Sequence, residues 1–472
     1  MVFSSLVFLF IFLPVTLAVY FISPQKLKNT VLLLASLIFY AWGEPKYIVI
    51  MLFSIFINYI FGWIVSSNNE KTRRIGVFVC VLANIIILGI FKYAGFVADN
   101  LSLIPGIDIK NPNISLPLGI SFFTFQAMSY VIDVYRKEAS LQKNIFNLAL
   151  YISLFPQLVA GPIVRYQTIE EQINKRSVTI DGFSEGIRRF IIGAFKKVII
   201  ANSLGMAVDT IFSMNIQDIS TVSRWIAVIG YSLQIFFDFS GYSDMAIGLG
   251  KMFGFEFLEN FNYPYIAKSA DEFWRRWHIS LSTWFRDYVY IPLGGSRKGK
   301  IRTYINLMIV WLLTGFWHGA SWTFMAWGIY FGILICMEKA FLKEKVFSKL
   351  PSAFSHVYLI VAVAIGWIFF RADNFEFSYQ ILKKVFFIGN VDFFDGTAYA
   401  FINDYWFVFL LGIFMSLPYS IIPGIKKIKL SAIFSEGCIQ TYYEILILGM
   451  MFIVTVYKLV NSTYNPFLYF RF

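Results

Sequence analysis

Long apolar runs recur from one end of this sequence to the other, and they decide what the chain can fold into. A helix that crosses a bilayer needs about 20 predominantly apolar residues. Runs suited to that role lie near 3–22, 30–42, 46–65, 75–97, 117–135, 198–213, 225–249, 303–318, 321–338, 353–371, 405–422 and 440–460. Two further apolar pieces, 145–160 and 277–293, are interrupted by Gly, Pro or charge. They read as re-entrant or interfacial helices, because irregular backbone at membrane depth needs protein or a wet cavity around it. Of the 472 residues, 58% are hydrophobic and 14% are charged. Ordinary soluble domains carry about 25% charged residues. A chain this apolar could not hide its side chains and still present a wettable surface. The expected class is therefore an all-α polytopic membrane protein. No soluble linker, low-complexity run or internal repeat divides it, so a single integral-membrane domain over 1–472 is expected. The opening stretch, Met1 to Tyr20, has no basic n-region and no small-residue cleavage site, and it reads as a retained span.

The net charge of +12 could suggest a nucleic-acid partner, but its distribution argues against one. Lys26 and Lys28, then Lys71, Arg73 and Arg74, then Arg136, Lys137 and Lys143 lie in loops two spans apart. The same phase continues through Arg188, Arg189, Lys196 and Lys197, through Arg297, Lys298, Lys300 and Arg302, through Lys339, Lys343, Lys345 and Lys349, and through Lys426, Lys427 and Lys429. Most of the basic residues thus fall on one side, which the positive-inside rule makes cytoplasmic. The opposite loops carry Asp99, Asp108, Asp373, Glu376, Asp392, Asp395 and Asp404. This phase places both termini outside a bacterial inner membrane. The charge then serves topology and contact with anionic membrane lipid, not nucleic acid. Cys80, Cys336 and Cys438 are far apart and without C-x-x-C spacing, so they read as small buried residues and suggest neither a disulfide framework nor a metal site.

Three histidines are present. His356 begins a span after a basic loop and needs no function there. His318 lies in Thr314-Gly-Phe-Trp-His-Gly-Ala-Ser-Trp322, toward the outer end of a span and among small residues. Ionisable side chains at membrane depth normally face a cavity or a partner; charged types cost roughly 2.5–3.5 kcal/mol on insertion scales. The chemistry alone leaves two readings, a functional imidazole or one that hydrogen-bonds a neighbouring helix. His278 lies in Asp271-Glu-Phe-Trp-Arg-Arg-Trp-His-Ile-Ser-Leu-Ser-Thr-Trp-Phe-Arg-Asp287. Arginine forks at Arg275, Arg276 and Arg286 suit phosphates, and the indoles of Trp274 and Trp277 offer flat faces for a base or cation. That combination fits a nucleotide-bearing carrier such as coenzyme A, while an interfacial amphipathic helix has the same composition. A third cluster, Phe236-Phe-Asp-Phe-Ser-Gly-Tyr-Ser-Asp244, buries two carboxylates that need partners. They could fold a helix bend around Gly241 or line a polar path, and the structural reading is the expectation.

Together the Trp-His-Gly around His318, the Arg-Arg-Trp-His-Ile-Ser-Leu around His278, the Asp-Phe-Ser-Gly-Tyr-Ser-Asp run and the Val159-Ala-Gly-Pro162 segment resemble the membrane-bound O-acyltransferase family. The closer resemblance is to its alginate O-acetylation branch. It extends from Phe39-Tyr-Ala-Trp-Gly43 to Asn465-Pro-Phe-Leu-Tyr-Phe-Arg-Phe472. What it implies is a helical bundle with re-entrant helices and a transmembrane tunnel, the acyl donor entering from the cytoplasm. It also implies that His318 is the catalytic histidine and His278 the second motif histidine. The implied donor is acetyl-CoA, and the implied acceptor is an extracytoplasmic SGNH-type acetyltransferase partner that modifies an exopolysaccharide. Given that class, His318 is expected to act as general base toward an acceptor hydroxyl, with an acyl-histidine as the alternative. His278 would orient the thioester or assist its departure. Two histidines without a nearby Cys or carboxylate cluster make a poor metal site, so no metal is expected. Two rivals stand beside this reading. One is a D-alanyl transfer protein of teichoic acid modification fed by a carrier protein, and the other is a transporter without covalent chemistry.

Overall fold

The computed structural model describes residues 1–159, 161–215, 219–386, 392–418 and 438–468. Lys426, Lys427 and Lys429 of the charge argument, Ala160 of the Val-Ala-Gly-Pro segment, the side chain of Cys438 and the last four residues of the terminal motif lie outside the described residues. Among those described, every regular element is helical. They form two compact units, the first of Met1–Phe190 with Ser243–Leu258 and the second of Ile191–Tyr242 with Glu259–Phe472.

The first unit opens with a π-helical turn at Phe8–Phe12. It continues through α1 (Leu13–Ile22), α2 (Lys28–Gly43), α3 (Ile48–Val65), α4 (Glu70–Leu101), α5 (Ile120–Arg136), α6 (Ile145–Ser153), α7 (Phe155–Leu158) and α8 (Tyr166–Asn174). Helix α9 (Ile180–Phe195) begins in it. Helix α5 is buried from Ile120 to Val131, polar positions included, so it is a core helix and not a lipid-facing one. Helices α3 and α4 are joined by paired amides, Asn58 to Asn84 at 3.1 Å and the reverse at 3.0 Å. The buried Cys80 thiol meets the same Asn58 oxygen at 3.3 Å. Interhelical polar pairs of this kind contribute about 0.6–2 kcal/mol where water is absent. Asp244 is held by Arg189 at 2.9 Å.

The second unit contains a π-helical stretch, Lys196–Ala201, followed by α10 (Asn202–Ser213). It then has α11 (Thr221–Met252) as far as Tyr242, α12 (Ala270–Arg276), α13 (Ile279–Phe285), α14 (Lys300–His318), α15 (Trp322–Met337), α16 (Ser352–Arg371), α17 (Phe375–Val385), α18 (Gly396–Met415) and α19 (Cys438–Asn461). Its core is aromatic, built on Phe236, Phe273, Trp274, Trp277, Trp311, Trp327, Phe331 and Trp367.

Seven helices among the described residues are long and apolar enough to cross a membrane. Each run expected from hydropathy is largely helical over its described residues, and one of the two interrupted pieces is broken inside as expected. The 145–160 piece breaks at Leu154 between α6 and α7, whereas the 277–293 piece runs helically from Ile279 to Tyr290, through the charged Arg286 and Asp287, and its break with α12 lies at its start, at His278. The sequence misplaces two starts most: the helix expected from 198 begins at Ile180, and the one expected from 405 begins at Gly396. Lys197, counted above as a loop charge, is therefore within a helical stretch and is buried. It forms an ion pair with Asp238 at 2.5 Å. The short amphipathic helices α8, α12 and α17 escape a hydropathy reading because half of each surface is polar.

The acidic segment before α18 supplies a cap. Asp395 accepts from the Ala398 N–H at 2.7 Å, the Ser223 hydroxyl at 2.7 Å and the Ser220 N–H at 2.8 Å. Burial acts to raise this carboxyl, and the hydrogen bonds outweigh it, so the group is held below the usual carboxylate range. A depressed carboxyl stabilises the fold above its unfolded pKa, and the contribution is lost as pH falls through the folded value. Asp395→Asn should accordingly melt below wild type at pH 7. Melting curves in detergent at decreasing pH should show that gap closing below about pH 4, near the unfolded carboxylate value.

Candidate active site

His318 is the last residue of α14, and the sequence around it closes two helices tightly together. A Cβ on Gly315 would collide with the Phe324 carbonyl oxygen, and one on Gly328 would collide with the Trp311 carbonyl oxygen. Only glycine lets the α14 and α15 backbones approach so closely. At Gly319 the obstacle to any side chain is the Phe324 ring. Gly319 is extended, which ends α14, and Ser321 caps α15 by accepting from the Phe324 N–H at 3.4 Å. The small residues flanking His318 thus fix where its ring points.

That ring is buried and edged by aromatic side chains. Its centroid lies 5.0 Å from Trp317, 5.0 Å from Trp327 and 5.2 Å from Phe370, each nearly perpendicular. Trp317 also lies 6.2 Å from the ring of His278. The structure therefore brings the two motif histidines against one shared indole, although they are forty positions apart in sequence.

His278 occupies the break between α12 and α13 with φ 45 and ψ 54, a left-handed backbone that non-glycine residues adopt at a cost of about 1–3 kcal/mol. Asn260 holds it there. The Asn260 side-chain oxygen accepts from the Ser280 N–H at 3.2 Å and the Ser280 hydroxyl at 2.8 Å. A backbone N–H can only donate, so the atom it faces is the amide oxygen. The Nδ1 of His278 meets that same oxygen at 3.2 Å and must carry the proton. In the neutral ring Nε2 then holds the lone pair. Asn260 carried no sequence signal, because an asparagine between Glu and Phe in a loop has no periodicity to mark it.

The five residues expected at a nucleotide-bearing donor divide into two groups. Trp274 and Trp277 turn inward, Trp274 stacking edge-on to Trp327 at 5.2 Å and Trp277 lying 4.9 Å from Trp367. The three arginines pair with acids close in sequence: Arg275 with Asp271 at 3.0 Å, Arg276 with Glu272 at 2.9 Å and Arg286 with Asp287 at 2.6 Å. The α12 start is fixed by a residue the sequence reading passed over. Glu338 is buried and accepts from the Ala270 N–H at 2.6 Å and the Asp271 N–H at 3.0 Å. A carboxylate at a helix N-terminus satisfies otherwise orphaned donors and the helix dipole together. Next to Arg275 lies a groove of about 530 Å³, lined among others by Lys268, Lys343, Ser348, Ser352 and Ser355. His356, by contrast, meets the Ala267 carbonyl at 3.1 Å, a structural contact.

In the Asp-Phe-Ser-Gly-Tyr-Ser-Asp run both carboxylates have cationic partners, and the helix is unbroken at Gly241. Asp238 pairs with Lys197, and Asp244 pairs with Arg189. Gly241 marks a backbone approach: a Cβ there would sit 2.7 Å from the Gly193 carbonyl oxygen, and α11 continues through it.

Comparison with known proteins gives the family. The model of the MBOAT, membrane-bound O-acyltransferase family, matches residues 3–382. The chain is 39% identical to the probable alginate O-acetylase AlgI of Pseudomonas putida over the whole of both chains. It is 35% identical to the peptidoglycan O-acetyltransferase of Helicobacter pylori, over 81% of this chain and 79% of that one. To the teichoic acid D-alanyltransferase of Bacillus subtilis it is 32% identical, over 54% of this chain and 67% of that one. With its helical membrane fold and family match across most of its length, the chain belongs to the membrane-bound O-acyltransferase family and is a multi-pass O-acyltransferase.

Proposed function

We propose that this protein takes an acetyl group from cytoplasmic acetyl-CoA and passes it across the bacterial inner membrane to an extracytoplasmic acceptor protein for exopolysaccharide O-acetylation. The observation that carries the reading is the buried His318 ring, set by the close-packed α14–α15 pair and sharing one indole neighbour with His278. An O-acyl transfer from a thioester needs a base for the incoming hydroxyl and donors for a tetrahedral oxyanion. His318 supplies the base. His278, with its proton fixed on Nδ1 by Asn260, orients the thioester from beyond that indole. A passage through the single integral-membrane domain brings donor and acceptor to His318, and both termini face the extracytoplasmic side. Similarity over the full length to an alginate O-acetylase, against about half the chain for a D-alanyltransferase, favours acetyl over D-alanyl.

The groove beside Arg275 suits the phosphates of the donor, with Trp274, Trp277, Arg276 and Arg286 on the same segment. Lys268, Arg275 and Lys343 provide positive charge, which exceeds by one the negative charge of Asp271 and Glu272 in the same lining, and Ser348, Ser352 and Ser355 provide hydroxyls. Charge-assisted contacts to phosphate are the strong ones among hydrogen bonds. The double variant Arg275→Glu/Lys343→Glu should raise KM for acetyl-CoA on the order of tenfold, the equivalent of about 1.4 kcal/mol, with kcat within about twofold. Steady-state kinetics checks this, and a KM that does not move removes the groove from donor binding.

The reading as a whole is tested in proteoliposomes with acetyl-CoA labelled in the acetyl group and a secreted acceptor protein outside. Release of coenzyme A coupled to labelling of the acceptor is the expected result. Turnover only of a D-alanyl carrier-protein thioester would replace the donor. Movement of label without thioester cleavage would replace acyl transfer with transport.

A further inference from the structure

Resting on that reading of His318, we infer that the indole N–H of Trp327 is the donor that stabilises the oxyanion of the acyl transfer, with the indole N–H of Trp274 beside it. Trp327 is completely buried and Trp274 nearly so. Among the described residues neither Trp327 Nε1 nor Trp274 Nε1 has an acceptor. Buried indole N–H groups usually find a partner, and an unmet buried donor is destabilising. Two of them, on rings 5.2 Å apart, make a local cluster of unmet donors in the aromatic core. Trp327 is also one of the rings that edge His318, at 5.0 Å and an interplanar angle of 81°.

That placement matches what one carbonyl requires. The attacked carbon and its oxygen are about 1.2 Å apart, so the base for the nucleophile and the donor for the oxygen must be within a few ångströms of each other. In the step, His318 removes the proton of the acceptor hydroxyl as its oxygen bonds to the thioester carbon. The C=O π pair moves onto oxygen, and that oxyanion accepts from the Trp327 N–H. Collapse re-forms C=O, breaks the C–S bond and expels the thiolate, which takes its proton from the imidazolium. No other co-reactant is needed. A donor already in place, in a site dry enough to strengthen its hydrogen bond, acts on the transition state without reorganising.

The test replaces one atom group. Benzothienylalanine at 327, introduced by suppression of an amber codon, keeps the bicyclic shape and substitutes sulfur for N–H. Its kcat is expected to fall on the order of 10²-fold, as for loss of one oxyanion donor, with KM within about twofold and the melting temperature unchanged. Trp327→Phe should fall at least as far, and Trp274 with the same replacement should fall less. A benzothienylalanine protein with wild-type kcat overturns the inference, as does one whose loss is accounted for by a lowered melting temperature or a raised KM. His318→Gln in the same assay separates the two claims. If it abolishes turnover while the Trp327 replacement keeps the wild-type kcat, only the donor assignment falls. If it leaves turnover intact, the acyl-transfer reading of this site falls with it.

Discussion

His318→Gln should lose roughly 10³-fold or more in acyl transfer while the protein folds and binds its donor normally, since general-base catalysis contributes about 10²–10⁴-fold. Glutamine preserves much of the length and polarity of histidine and can hydrogen-bond, but it cannot take a proton near neutral pH. Alanine would be a poorer probe. The imidazole is edged by Trp317, Trp327 and Phe370, and removing it would open a cavity among rings that support one another. The expected signature is a collapse of kcat with KM for acetyl-CoA within about twofold, because an interaction used only in the transition state leaves ground-state binding alone. The residual rate should also lose its dependence on the base's ionisation. Wild-type kcat in the glutamine variant would remove His318 from the chemistry and leave it a packing residue at the end of α14.

The second large effect is expected on stability, far from the chemistry. Lys197 and Asp238 are both almost fully buried, and their side chains meet at 2.5 Å. The lysine Nζ also donates to the Asn202 side-chain oxygen at 2.7 Å and to the Pro466 carbonyl. Asp238 accepts the Leu468 N–H at 2.8 Å, and Asn202 donates to Asn465 at 3.0 Å. One ion pair thus anchors the segment that follows α19. Breaking it from either side leaves an uncompensated buried charge, which costs about 3–5 kcal/mol. Lys197→Met and Asp238→Leu should each lower the melting temperature markedly in detergent and expose the 462–468 segment to protease. The pair Lys197→Met/Asp238→Leu should recover much of the loss, because two apolar side chains need no partner. Losses that simply add in the double variant would show that the two residues act independently.

The scale of the fold was legible because the solvent imposes it. Runs of apolar residues near bilayer length have few alternatives to helix, and each run read that way is largely helical where it is described. The interruption at Leu154 was legible because Pro156 follows it, whereas the charge of Arg286 and Asp287 misled, since the helix continues through both. The site was legible in part. His318 stood out as an ionisable residue among small and apolar neighbours, and its motif carried the family. The helix from Ile180 was read too short because Arg188, Arg189, Lys196 and Lys197 look like a loop when only their charge is counted. In the structure Arg189 and Lys197 are neutralised by Asp244 and Asp238, partners on another helix.

The sequence by itself determined that this chain is a helical membrane protein, where most of its helices run, and which two histidines to watch, because hydropathy and motif spacing are properties of neighbours along the chain. Only the tertiary structure decided that one indole touches both of those histidines, that Asn260 sets the proton of His278, that Glu338 caps the helix bearing Trp274, and that Trp327 presents a buried donor beside His318. Most of those contacts join residues well separated along the chain. A side chain's partner across the core leaves no periodic trace in the sequence, so packing alone chooses it.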